Sequence, residues 1–188
     1  MSANLQKFTR AVHILRNVAV RVPGDAWDNP SCCSGWSARE VAGHTSWVLQ
    51  NITATTGFGD APIEQPEAEV AGPDPAATIC RSVDACLAAL DHPGTLDTVA
   101  ATPFGEMPID NFIGTVWIDP LTHAWDIADA AGIAPGIDEA TASEAQANLE
   151  PVSDMVRGAG IFGPETTPAG PSAVDQFVAF AGRTSIRG

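Results

Sequence analysis

Apolar residues return at steps of three and four through several separate stretches of this chain, and each stretch carries its own start and stop signals. That pattern restricts the fold to packed amphipathic helices. Residues 3–22 place Leu5, Phe8, Val12, Leu15, Ala19 and Val22 on one face, and Pro23-Gly24 ends the run. Ser37-Ala38-Arg39-Glu40 reads as a capping box, with Val41, Thr45, Val48 and Ile52 as the inner face and Gly57 as a stop. Residues 58–75 are rich in Pro, Gly and acid and read as a loop. Asp74-Pro75 opens a helix through Ile79, Val83, Leu87 and Leu90 that ends near Pro93-Gly94. Residues 95–109, with Pro103, Gly105 and Pro108, read as extended or hairpin-like.

Residues 110–131 form another helical pattern closed by Gly132, with a kink or break expected at Pro120. Residues 138–157 are helical with an interior Pro151, and Ser172 to Ala181 forms a short final helix stopped by Gly182. The expected fold is therefore all-α, an antiparallel four-helix bundle with extra short helices and a small hairpin near 95–109. At 188 residues, with 45% hydrophobic residues, the chain is expected to form one domain over residues 1–188.

Charge narrows the partners. Nine Lys and Arg against 23 Asp and Glu leave a net charge of −14, which repels phosphate backbones and anionic lipid heads. No nucleic-acid or membrane partner is expected, and no apolar stretch is long enough to span a bilayer. Met1 to Lys7 lacks a charged head followed by an apolar run, so no secretory signal is read and a cytoplasmic location is expected. Cys32, Cys33, Cys80 and Cys86 contain no C-x-x-C pair, so neither a thiolate zinc knuckle nor a thioredoxin-type site is indicated. There is no G-x-S-x-G elbow, P-loop or G-x-G-x-x-G.

The histidines are the chemically informative residues. His44 falls between Val41 and Val48 on an inward helix face, where an imidazole needs a partner. It reads either as a core histidine bonded to a carbonyl or carboxylate, or as a metal ligand. His123 lies four residues after Asp119, so the two share one helix face and could hold a divalent ion together with a ligand from a facing helix. Asp119 precedes Pro120 and reads equally as the cap of a helix starting at residue 120. Glu40 is an alternative carboxylate, with capping as its simpler role, and Asp126 could orient a ligating imidazole from behind. His13 lies off the apolar stripe and His92 precedes Pro93, so both are read as surface residues. Cys33 lies close enough upstream of the capping box to approach the site, although a buried structural thiol is the commoner reading.

The stretch Cys33-Ser34-Gly35-Trp36-Ser37-Ala38-Arg39-Glu40-Val41-Ala42-Gly43-His44 resembles the start of the second helix in DinB-like metal-binding proteins. It is most similar to the branch containing the metal-binding domain of mycothiol-dependent maleylpyruvate isomerase. His123-Ala124-Trp125-Asp126-Ile127-Ala128, then Ala130 and Gly132, resembles that branch's second metal segment. Phe162-Gly163-Pro164 and Asp175 through Phe180 to Gly182-Arg183 resemble its C-terminal end. The resemblance implies a four-helix bundle holding a divalent metal through His44, His123 and, where the family often has glutamate or histidine, Asp119. Three protein ligands would leave an open position at which a low-molecular-weight thiol such as mycothiol becomes a thiolate nucleophile.

The leading expectation is a metal-dependent thiol S-transferase or isomerase acting on a small electrophile. Asp126 would act behind the ligands, and Trp36, Trp47 and Trp125 would line the pocket, with core packing as their alternative role. Mixed imidazole and carboxylate ligation suits zinc or nickel, then iron or manganese. The rivals are metal-assisted hydrolysis, with Glu40 as base, and a non-catalytic metal- or ligand-binding module. A homodimer is compatible with apolar residues on short helices.

Overall fold

Local capping and side-chain periodicity set most of the elements in the computed structural model, which describes residues 1–187. Helix α1 spans Ala3–Ala19 and is capped by Ser2, whose hydroxyl accepts from the Leu5 N–H. Helix α2 spans Ala38–Thr55 behind the Ser37–Glu40 capping box. Helix α4, Pro75–Leu90, starts at the Asp74 cap with proline in its first turn. The expected hairpin forms from β1 (Val99–Thr102) and β2 (Gly105–Pro108), antiparallel, pairing Val99 with Pro108 and Thr102 with Gly105.

Three sequence expectations need correction. The stretch 58–75 is not wholly loop: it contains α3, Glu67–Ala71, a helix of five residues and too short for any periodicity to reveal. The break expected at Pro120 falls earlier, between α5 (Ile109–Val116) and α6 (Ile118–Ala131). A proline disturbs the turn before it, because its ring crowds the carbonyl four residues back. Pro120 thus sits comfortably in the first turn of α6, and Val116 becomes the last residue of α5. Asp119 consequently lies inside α6 and does not cap it; the cap position is Trp117, with no side-chain cap hydrogen bond. The helix expected over 138–157 divides at Pro151 into α7 (Glu139–Leu149), a single 3-10 turn and α8 (Ser153–Gly158). The final helix, α9 (Ala173–Phe180), is capped by Ser172 as expected.

The architecture is mostly helical with one small two-stranded sheet. Helices α1 and α2 each pack against both α4 and α6, α3 lies on α2, and α7 pairs with α9. Phe8, Leu15, Leu49, Ile79, Ile113, Trp117, Leu121 and Ile127 fill the space between them and are fully buried. Burying a side chain of this size stabilises by about 1.5–3 kcal/mol. The contact of α2 with α6 positions the site, because His44 stands on the first and Asp119 and His123 on the second. No helix among the described residues is long and apolar enough to cross a membrane.

Candidate metal centre

The capping box fixes where α2 begins, and with it the face on which His44 lies, two turns further on. On α6, Asp119 and His123 are four residues apart, one above the other. One ligand atom from each of His44, Asp119 and His123 lies within 4.8 Å of the other two. His123 Nε2 is 3.5 Å from Asp119 Oδ1. The two imidazoles meet edge to face, with ring centroids 5.1 Å apart and planes at 77°. Trp36 leans on the other side of His44, at 5.0 Å. Asp119 Oδ2 is buried and has no hydrogen-bond partner, an expensive state for a carboxylate oxygen.

Behind His123 is a buried polar network. Asp126 is fully buried, and its Oδ2 lies 2.8 Å from His123 Nδ1. With the Nδ1 proton directed at Asp126, Nε2 is turned toward Asp119 and His44. Arg183 donates to both Asp126 oxygens, each at 3.2 Å, and its guanidinium lies 5.2 Å from the Phe162 ring centroid. The Cys32 and Cys33 thiols reach the same carboxylate, at 3.1 Å and 3.3 Å.

Burial opposes charge on these groups, but their neighbours outweigh it. Asp126 is held well below the usual carboxylate range by Arg183 and His123 in spite of its burial. Burial also works against the charge of His123, yet Asp119 and Asp126 raise its pKa well above an ordinary imidazole. Asp119 is lowered because the charge of His123 overcomes burial. His44, by contrast, is lowered by burial and by the nearby charge of His123, so it stands as the neutral imidazole. The two thiols titrate as a pair. Their mutual hydrogen bond pulls Cys33 down to about 6 and pushes Cys32 upward.

The structure thus brings together His44, Asp119 and His123, with Asp126 directly behind His123. Glu40 does not join them: its carboxylate accepts from the Ser37 main-chain N–H at 2.6 Å and the Ser37 hydroxyl at 2.8 Å. Trp47 lines the spaces beside the site, whereas Trp125 is half-buried against the core and lines neither. His13 is exposed, and His92 is exposed and stacked on Phe58 at 3.9 Å. Cys33 does approach the site. Sequence reasoning missed Cys32 and Arg183 as members of the network. A signal was present for Arg183, since a carboxylate three residues after an inward histidine is buried at a cost that a cation offsets.

Two spaces flank the cluster, with Trp47 in the wall of both. On the Asp119 side is an apolar cavity of about 360 Å³ walled by Ile52, Phe112, Ile118, Leu149, Val156 and Phe162. On the His44 side is a recess of about 450 Å³ bordered by Glu64, Gln65, Pro66, Glu67 and Val70.

Residues 8–128 match the family model described as the mycothiol maleylpyruvate isomerase N-terminal domain. Two curated relatives from Mycobacterium tuberculosis strains, Uncharacterized protein MT0763 and Uncharacterized protein Rv0738, are each 28% identical over 183 residues, covering 96% of this chain and 97% of the relative. No solved structure matches significantly. With its helical fold and a matched span that includes His44, Asp119 and His123, the chain belongs to the mycothiol maleylpyruvate isomerase N-terminal domain family, within the DinB-like metal-binding superfamily.

Proposed function

We propose that this protein is a divalent-metal-dependent enzyme, a thiol S-transferase or isomerase that uses a mycothiol-like thiol on a small electrophile. The observation that carries this reading is the convergence of two imidazoles and one carboxylate within 4.8 Å, with Asp119 Oδ2 buried and unpartnered. A carboxylate oxygen left without a partner beside two imidazole nitrogens suits a cation, and this donor set suits zinc or nickel, with iron or manganese next. Bound there, such an ion supplies Lewis acidity that keeps a small thiol in its nucleophilic thiolate form.

The protein's own residues do the positioning. His44 presents a neutral nitrogen from α2, while His123 and Asp119 present theirs from α6. Asp126 accepts a hydrogen bond from His123 Nδ1 and so aims Nε2 inward, and Arg183 keeps Asp126 ionised. Trp36 packs against the His44 ring, and Trp47 stands in the walls of both flanking spaces. We read α1, α2, α4 and α6, each in contact with two of the others, as the DinB-like four-helix bundle, and residues 1–188 as one metal-binding domain. Metal-assisted hydrolysis is the weaker reading, because Glu40, the carboxylate expected to serve as its base, is engaged by Ser37.

Elemental analysis of protein purified without chelators tests the metal, and thiol consumption across a panel of electrophiles tests the reaction. About one divalent ion per chain is expected, lost in His44→Ala and His123→Ala while the helical circular dichroism is retained. Protein that takes up none of these metals, or variants that bind them as well as the parent, would overturn the proposal.

A further inference from the structure

The apolar cavity beside Asp119 is notable for the charges it lacks. Its polar wall groups are the neutral side chains of Asn51, Thr55, Thr115 and Asn148, and Asp119 is its one charged residue. The recess on the His44 side is bordered by Glu64 and Glu67 and also has no Lys or Arg. No Lys or Arg lines either space, and all nine Lys and Arg side chains of the sequence have partners in the protein. Lys7 comes nearest: it donates to the wall residue Asn148 at 3.2 Å while paired with Glu144 at 3.3 Å. Arg157, next along the chain to the wall residue Val156, donates to the carbonyls of Gly163 and Phe180, and Arg183 is held by Asp126.

A carboxylate buried among apolar side chains without a cation is strongly disfavoured. A dicarboxylate substrate could direct one carboxylate to a metal at Asp119. Its second would then lie among Phe112, Leu149 and Val156, where the nearest cation, Lys7, is already paired with Glu144 and the field of an acidic protein acts against it. An uncharged body meets no such penalty and gains from apolar burial, and a cavity of about 360 Å³ lies within the range that takes a small organic molecule.

We infer that the electrophile accepted by this protein has an uncharged, largely apolar body that fills this cavity, with its reactive carbon at the Asp119 end, and that dicarboxylate electrophiles are excluded. The placement of the reactive carbon rests on the metal–thiol reading; the preference for an uncharged body rests on the cavity walls alone. The recess bordered by Glu64, Gln65 and Glu67 is left for the polar thiol.

Diethyl fumarate and fumarate have the same reactive carbons and differ in charge. Each is titrated against full-length protein carrying N-phenyl-naphthylamine, an uncharged apolar fluorophore, with and without added zinc, and zinc binding is measured separately. The diester is expected to displace the fluorophore at least about tenfold more effectively than the dianion, zinc present or absent. Ile161 lines the cavity and is 49% exposed, so Ile161→Lys adds a cation at the mouth without disturbing the core. That variant is expected to narrow the preference, as is Phe104→Arg at a second exposed wall position. Zinc binding without any preference for the diester overturns the cavity assignment and leaves the metal site standing. Preference for the diester without zinc binding upholds the cavity assignment and overturns the metal reading.

Discussion

Gly43 precedes His44 on α2 and offers a sharp test of how α3 is seated. An alanine Cβ at this position would lie 1.8 Å from the main-chain oxygen of Glu67, 2.5 Å from its carbonyl carbon and 3.0 Å from its Cα. Cβ atoms do not approach backbone that closely, so Gly43→Ala requires α3 to retreat by roughly 1.2 Å or more. Main-chain atoms cannot swing aside as a long side chain can. The retreat strains the seat of Ala71, which is fully buried, and the hydrogen bonds from Thr78 Oγ1 to the Ala71 carbonyl and from Arg39 to the Gly72 carbonyl, at 2.9 Å and 2.8 Å. Overpacking of this kind costs about 1–3 kcal/mol, and the better helix propensity of alanine returns about 1 kcal/mol. Against main chain at 1.8 Å the upper end of that cost applies, so the expected net loss is about 2 kcal/mol, a fall in Tm of about 4–8 °C for a chain of this size. Gly158→Ala is the matched control: it is also helical, and nothing lies within 4 Å of its added Cβ. It should be neutral or slightly stabilising. Thermal and urea unfolding read both variants. Zinc affinity by chelator competition should change less than about tenfold in Gly43→Ala, because the three candidate ligands stand on α2 and α6 and not on the displaced helix. A Gly43→Ala protein as stable as the parent would refute the seating of α3 against α2.

Asp126→Asn leaves Arg183 buried without its counter-charge; a loss of about 3 kcal/mol in urea unfolding and about 10–100-fold in zinc affinity is expected, and unchanged affinity would remove Asp126 from its positioning role. Gly182 has a φ of 79°, and a Cβ there would meet the Gly163 backbone at 2.8 Å, so Gly182→Ala should lower Tm and weaken zinc binding through the neighbouring Arg183; a stable variant with full affinity would refute this. The two Ser37 donors hold the Glu40 carboxylate below its ordinary value, so its capping contribution is complete at neutral pH and is lost as pH falls through the lowered folded value. Glu40→Gln should therefore unfold over a shallower acid limb than the parent, and identical acid titrations would show that the box contributes nothing ionic.

What could be read from the sequence was local. Ser37 with Glu40, Asp74 with Pro75, and Ser172 each announce a helix start within four residues, and each is used as such. His44 and His123 were legible because their helical faces follow from the same spacing. Asp119 was ambiguous for a physical reason: Asp-Pro is a good cap, and only the crowding of Pro120 against the preceding turn moves the helix start back to Ile118. Arg183 is 57 residues from Asp126, and no short-range pattern joins them. Helix α3 packs against α2, where Gly43 lets its backbone approach, and against α4, contacts that five residues in an acidic, proline-rich stretch do not announce.

The family match ends at residue 128, and the division it marks has a chemical meaning. His44, Asp119, His123 and Asp126 all lie within the matched stretch. Arg183, and the cavity walls contributed by Leu149, Val156, Ile161 and Phe162, lie beyond it. The later segment is tied back onto α6. Ser185 donates to Asp129 at 2.6 Å, and Arg187 donates to the Asp129 and Ala130 carbonyls. A buried ion pair adds little net stability over apolar packing, so the Asp126–Arg183 contact is poorly explained as a staple. It is better explained by what Asp126 does next, which is to hold the Nδ1 proton of His123 and set the direction of Nε2. The donor cluster therefore belongs to the part of the chain shared with the family model. Its orientation, and the shape of the space an electrophile would enter, depend on the final third.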